Sequence, residues 1–327
     1  MIANILMESS KALHDVPVVL YLPFLTFLVQ VISTVIFWQF FLIIEGAGDE
    51  IFFFETGHAF NLISLGWFSL FIFECQHYIV TGIIHQWYFT RDKHSIELSI
   101  KMLFKNMLWY HLGSVCFGGT FLLIGNILKF TIKCLKKLTD DSNNIIGVII
   151  GTCFKWLIDF LDEVLQYIIR TAYIFVITDG TCFIESGKKV FSIVSKDPDE
   201  MVIHRRLSYF VLFMCKLLIF LIFLITEFIM IFIISDDIGC DDEFFVFLLG
   251  ITYIIYVVHS FTSIFEVTVD TIFVCISIDF EENNGTDKPY FMSDNLHKIM
   301  LEIREETRAS KDCEDETENG IKTTSFS

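Results

Sequence analysis

Between Val16 and Ile44 the chain carries no charged side chain. The hydrocarbon core of a bilayer is about 30 Å thick, and about 20 apolar residues in a helix cross it at ~1.5 Å per residue. In lipid, a lone segment satisfies its own backbone groups only as a helix. One charge-free stretch of this length commits the chain to a membrane. The question is how many more segments follow it.

Four further segments read as spans. They are residues 59–89, with Glu74 inside; 106–128, free of charge; 207–235, with Lys216 and Glu227; and 244–274, with Glu266 and Asp270. The stretch 145–178 is apolar but broken by Lys155, Asp159, Asp162, Glu163 and Arg170. It reads as an amphipathic interfacial helix followed by a short span from about Ala172. The sum is an all-α, polytopic integral membrane helix bundle of about six spans. Composition agrees, since 37 Phe and a mean hydropathy of +0.60 suit side chains that face lipid.

Three units are expected along the chain. Residues 1–15 form a mildly amphipathic cytosolic lead-in, too polar for a cleavable signal. Residues 16–280 form the membrane domain. Residues 281–327 form an acidic cytosolic tail, whose part after Met300 contributes to the net charge of −17 and reads as disordered or as a short fraying helix.

Short loops rich in Lys and Arg belong inside. Arg91, Lys93, Lys101 and Lys105 follow the second span, and Lys188, Lys189, Lys196, Arg205 and Arg206 precede the fifth. The loops 45–50 and 235–243 carry no positive residue and are placed outside. Both termini then lie in the cytosol. Lys129, Lys133, Lys136 and Lys137 object, because parity puts the end of the third span outside. Three readings fit: a local exception, lysines that snorkel from the interface, or a re-entrant third or fourth segment. Asn284, Gly285 and Thr286 match the glycosylation pattern, but they fall in the part placed inside and read as a chance match.

Ionisable groups inside a bilayer are costly and ordinarily face a cavity or a partner. Glu266 and Asp270 are spaced i, i+4 and share a helix face, with His259 and Ser263 close to the same line. Two carboxylates there suit a cationic substrate or a proton; the plainer reading is that the helix is already leaving the membrane and both acids sit at its cytosolic rim. Glu74, Gln76, His77 and Thr81 interrupt the second span without forming one stripe. They line a path from different turns or simply bond helix to helix. Lys216 and Glu227 are about 16 Å apart along one helix and do not pair; Lys216 reads as snorkelling to the cytosolic side. Trp87, Tyr88 and Phe89 read first as an interfacial aromatic belt, and second as part of a cage for a quaternary ammonium.

No nucleotide-binding glycine loop, metalloprotease HExxH or hydrolase GxSxG occurs. The nine His do not cluster, the nine Cys show no zinc or disulfide spacing, and no basic stripe suggests nucleic acid. No catalytic residue, metal or cofactor is expected, and the chain reads as a non-enzyme. The competing possibility is a membrane-embedded acyl- or phosphotransferase that uses His111 or His259.

The stretch "CQHYIVTGIIHQWYFTRDK" (75–93) resembles a segment of the choline transporter-like family, C-Q-Q-x-x-I-A-G-A-x-x-x-W/Y-Y-F-T-R-D-K. "WYHLGSVCFG" (109–118), "AYIFVITDGTCFIESGKKVF" (172–191), "FMCKLL" (213–218), the run 261–296 and "ESSKAL" (8–13) resemble further motifs of that family, in its order. The chain departs from the pattern at His77, at Thr81 and Ile83 around Gly82, at Trp109 and at Gly187. Larger residues in the small-residue motif alter helix packing or narrow a path.

The resemblance implies transport of choline or a related amine. It also implies a larger fold of about ten spans, of which this chain resembles the C-terminal half. Its short loop after the first span suits the compact-loop branch associated with choline. By the same resemblance, Gln76, Trp87, Tyr88, Tyr110, Glu266 and Asp270 are substrate-cavity or gate candidates, and Arg91, Asp92 and Lys93 form the cytosolic motif behind them. Asp270 has a second possible role, tying two helices together near Arg91 or Lys93. The expected function is a carrier working by alternating exposure of a midplane site, with Glu266 as the candidate for proton exchange. The expected partners are the bilayer and the amine, with a full-length relative or a second copy as possible assembly partners. The expected location is the plasma membrane, or else an organellar one. The alternative is a non-transporting or truncated paralogue that serves as a membrane assembly partner, or an incomplete gene reading in which Met1 is internal.

Overall fold

The computed structural model describes residues 2–46, 51–91, 100–140, 166–194, 198–234, 240–283 and 288–292. They form nine α-helices and, among the described residues, no strand. A short helix α1 (Ile2–Asp15) leads through a 3₁₀ turn (Pro17–Tyr21) into α2 (Leu22–Gly46). Then come α3 (Ile51–Phe89), α4 (Ile100–Asn106), a π turn (Met107–His111) and α5 (Leu112–Asp140). Helices α6 (Gln166–Thr178) and α7 (Phe183–Val194) are followed by the long helices α8 (Pro198–Ile234) and α9 (Cys240–Glu282).

Five helical segments are long and apolar enough to cross a membrane: Pro17–Gly46, Phe54–Phe89, Ile100–Cys134, Tyr209–Met230 and Gly250–Glu282. A sixth is present if α6 and α7 count as one broken span. They meet at 112° around Gly180, whose φ of +64° lies in the left-handed region that glycine adopts without strain. The doubtful fourth segment is thus, in its described part from Gln166, a bent pair; residues 141–165 lie outside the described residues. The third span runs on past Leu128, so Lys129 and Lys133 sit on the helix itself.

Helices α3 and α9 form the centre and pack on each other, with α2 and α5 against α3 and α8 against α9. Polar cross-links fix the outer helices. Gln30 Nε2 donates to Ser69 Oγ (2.6 Å) between α2 and α3, and Trp67 Nε1 donates to Thr120 Oγ1 (3.0 Å) between α3 and α5. Helix α1 is more than a lead-in. Ile5, Ser9, Ala12 and Leu13 are buried, and α1 packs on α9, α8 and α3. Its apolar positions recur at helical spacing, which gives it one face to bury. By contrast, the apolar window of α8 has no buried residue, as expected for a helix with most of its surface toward lipid.

Candidate functional site

The centre of the bundle is polar. On α3, Glu74 is 1% exposed. Its Oε1 lies 3.0 Å from His77 Nδ1, one turn along the same helix, and its Oε2 accepts a 2.6 Å hydrogen bond from the Tyr173 hydroxyl on α6. Gly118 on α5 makes that second contact possible. A Cβ there would stand 2.5 Å from the Tyr173 oxygen and 3.5 Å from Glu74 Oε2. Also on α3, Gln76 Nε2 donates to Ser260 O (2.9 Å) and Ser263 Oγ (3.0 Å), so its amide joins α3 to α9.

One turn of α9 further on, Glu266 faces two cations. Its Oε2 is 3.3 Å from Arg170 NH1, and its Oε1 is 3.2 Å from Lys216 Nζ. Arg170 also donates to the Tyr209 hydroxyl (2.7 Å), which in turn donates to Asp270 Oδ2 (2.7 Å). Asp270 is itself 3.8 Å from the guanidinium. Lys216 Nζ lies 3.3 Å from His259 Nδ1, and the Phe73 ring stands edge-on to that imidazole at 4.6 Å. Four helices, α3, α6, α8 and α9, thereby meet in one layer of paired charges. Pairing is what makes such charges tolerable away from water.

This placement changes several expectations. Glu266 and Asp270 are not at a rim: both are buried, and Glu266 lies near the middle of the Gly250–Glu282 span. The predicted stripe of His259, Ser263, Glu266 and Asp270 does face inward, toward α3, α6 and α8. Lys216 does not snorkel; it reaches into the layer and pairs. Asp270 pairs with Arg170 and Tyr209, whereas Arg91 donates to Pro289 O (3.1 Å) instead.

The aromatic end of α3 is not a lipid-facing belt. Trp87 and Tyr88 are 3% and 4% exposed. Trp87 Nε1 donates to Asp15 Oδ2 (3.1 Å) at the end of α1, and the Tyr88 hydroxyl donates to Asp279 Oδ2 (3.1 Å) on α9. The same Asp279 oxygen accepts the backbone N–H groups of Phe291 (2.9 Å) and Met292 (3.1 Å), while its other oxygen accepts from Asn283 Nδ2 (2.7 Å). The Arg91 guanidinium lies 4.7 Å above the Phe291 ring. These contacts fold residues 288–292 back over the ends of α3 and α9 as a clasp. Three places that the charge pattern assigns to the cytosol, near Asp15, Arg91 and Pro289, thus meet at one end of the bundle.

Among the candidates, the structure brings Gln76, Glu266 and Asp270 into the central layer and its edge, and places Trp87, Tyr88 and Arg91 in the clasp. Tyr110 joins neither. It sits on the π turn with 77% of its surface exposed. Asp92 and Lys93 lie outside the described residues. The sequence reading did not select Arg170, Tyr209, Tyr173 or Asp279. An arginine directly before the apolar run 171–178 was the available signal, since such a charge demands an acidic partner.

Apolar helices around a layer of paired charges, with intramembrane carboxylates among them, are the build of a polytopic membrane protein. The chain belongs to the family described as plasma-membrane choline transporter, whose profile matches residues 1–281. It is 29% identical to choline transporter-like protein 1 of Torpedo marmorata, over 76% of this chain and 38% of that protein. It is 28% identical to choline transporter-like protein 3 of Homo sapiens, over 87% of this chain and 45% of that protein. The Bos taurus protein of the same name is 26% identical over 94% of this chain and 49% of its own length. The chain therefore spans less than half the length of these relatives.

Proposed function

We propose that this chain carries choline or a closely related monovalent organic amine across the plasma membrane, by alternating exposure of the layer between α3, α6, α8 and α9. The observation that supports this most is the pairing of Glu266 and Asp270 with Arg170 and Lys216 deep within the spans. A buried cation needs carboxylates, and these are carboxylates whose partners differ in how firmly they are held. Gln76 Oε1, His77 Nε2 and Thr81 Oγ1 are buried beside that layer without a hydrogen-bond partner. They are polar atoms of the kind that a hydroxyl on the amine would engage, because an unpaired buried polar group gains from any partner. The aromatic surfaces of Phe73 and Tyr209 border the layer and suit a quaternary ammonium.

The test is uptake of labelled choline by transport-deficient cells that express this chain, with its presence at the surface measured in parallel. Saturable uptake above background is expected, and its loss in Glu266→Gln with surface level retained. No uptake from chain present at the surface would overturn the proposal. The second reading, an assembly partner for a full-length relative, is favoured by the apolar face that α8 presents along its whole window. Co-purification of the two chains from a membrane extract, in the absence of uptake by this chain alone, would select it.

A further inference from the structure

Counting the charges of the central layer leads beyond a general amine site. Glu74, Glu266 and Asp270 bring three carboxylates, and Arg170 and Lys216 bring two cations. The carboxylates of the layer outnumber its Arg and Lys side chains by one. The two cations are also unlike. Arg170 is fixed by Glu266, Asp270 and Tyr209 together, with 10% of its side chain exposed. Among the described residues, Lys216 meets Glu266 and His259 at hydrogen-bond range, and 28% of its side chain is exposed, the most of any charged member. A guanidinium holds several acceptors in a fixed fork, whereas a lysine ammonium is a point charge on a flexible four-carbon stem.

We propose that the Lys216 ammonium is a tethered stand-in for the transported cation. It fills the seat formed by Glu266 and His259 when no ligand is bound, and yields that seat to a monovalent ammonium ligand. This rests on the transport reading above and sharpens it. The exchange swaps one positive charge for another at Glu266, so the layer keeps its charge through the step. A zwitterion would add a negative charge to a layer whose carboxylates already outnumber its cations. The seat is thus selective for charge, with the Phe73 ring edge beside His259 adding an apolar wall for methyl groups.

The test uses the full chain, purified in detergent, with thermal unfolding followed against choline chloride and against tetramethylammonium chloride, at ionic strength matched with potassium chloride. Lys216→Met removes the tethered cation and leaves the seat open. It is expected to start less stable than wild type, to be rescued by the ammonium salts but not by potassium, and to be half-saturated at a concentration about tenfold lower than wild type. Lys216→Arg is expected to move the other way, because a guanidinium grips Glu266 with two donors; it keeps the test decisive if Lys216→Met does not fold. Adding Glu266→Gln to Lys216→Met is expected to abolish the rescue. If Lys216→Met, or Lys216→Arg in its place, responds to both ammonium salts as wild type does, the tethered-cation proposal is overturned. If tetramethylammonium shows the expected order and choline binds neither form, the tethered cation stands and the choline reading falls.

Discussion

The central layer and the clasp are both polar assemblies built on α3 and α9, yet they are made differently. In the layer, charges face charges across four helices, and almost every contact is between side chains. In the clasp, one carboxylate, Asp279, collects a hydroxyl, an amide and two backbone N–H groups within 3.1 Å. Backbone groups do not change rotamer, so the clasp is tied to the path of the chain itself. The layer holds its pairs through long side chains, and one of them, Lys216, is more exposed than the rest. The lesson is that burial alone does not mark a site of change. What distinguishes the layer is one partner, Lys216, held less firmly than the rest.

The comparison can be broken at either end, and the largest effect is expected at Arg170. Arg170→Met leaves Glu266 with Lys216 alone and Asp270 with the Tyr209 hydroxyl. Losing one partner of a buried ion network costs about 3–5 kcal/mol. The expected result is a collapse in the yield of monodisperse protein in size-exclusion chromatography, with no full recovery in Arg170→Lys, whose ammonium lacks the planar, fixed fork of the guanidinium. A well-folded Arg170→Met chain would show that the layer is not held as described.

Asp279→Ala comes next. It strips the acceptor from the N–H groups of Phe291 and Met292, at about 1–3 kcal/mol for each group left without one. The expected signature is local: faster proteolysis between residues 283 and 292, with the apolar core intact. Proteolysis unchanged from wild type would mean that the clasp does not depend on this carboxylate.

Gly118→Ala tests the layer more gently. Its Cβ would push Tyr173 away from Glu74, and overpacking of this kind costs about 1–3 kcal/mol, less where a side chain can swing aside. A fall in unfolding temperature that Tyr173→Phe in the same chain partly relieves would locate the clash at the hydroxyl. Equal falls with and without that hydroxyl would place the strain elsewhere. The smallest effect is expected at Tyr110, where exposure predicts a change within about 0.5 kcal/mol for Tyr110→Ala. Uptake lost at normal surface level in that variant would add the outer face of the π turn to the functional surface.

Much of this is legible in the sequence. The charge-free run from Val16, the apolar segments after it and the i, i+4 acids of α9 announce a helical membrane bundle with a polar face on its last span. The rest depended on where faces point. Trp87 and Tyr88 have apolar bodies and polar tips, and the sequence looks the same whether the tip meets a headgroup or Asp279. Lys216 sits near basic loop residues, so the sequence alone reads as snorkelling; only packing sets Glu266 beside it. Arg170 was lost among the charges of 155–163, which made its segment read as interfacial. Helix α3 is apolar around its whole circumference, and no stripe could say which way Glu74 and Gln76 turn. Partners of that kind are properties of the packed bundle, not of any one segment.

One feature of α9 reaches further than its length suggests. It is an uninterrupted helix from Cys240 to Glu282, and Ser263, Glu266, Asp270 and Asp279 all stand on it. Asp279 is about 20 Å from Glu266 along its axis at ~1.5 Å per residue. As a stiff lever, α9 puts the layer and the clasp in mechanical series. A tilt of about 5° pivoting at Glu266 would carry Asp279 sideways by about 1.7 Å over that length, more than the slack of a hydrogen bond. A change at the centre that tilts α9 would therefore load the latch at the end, and a fastened latch would resist that tilt.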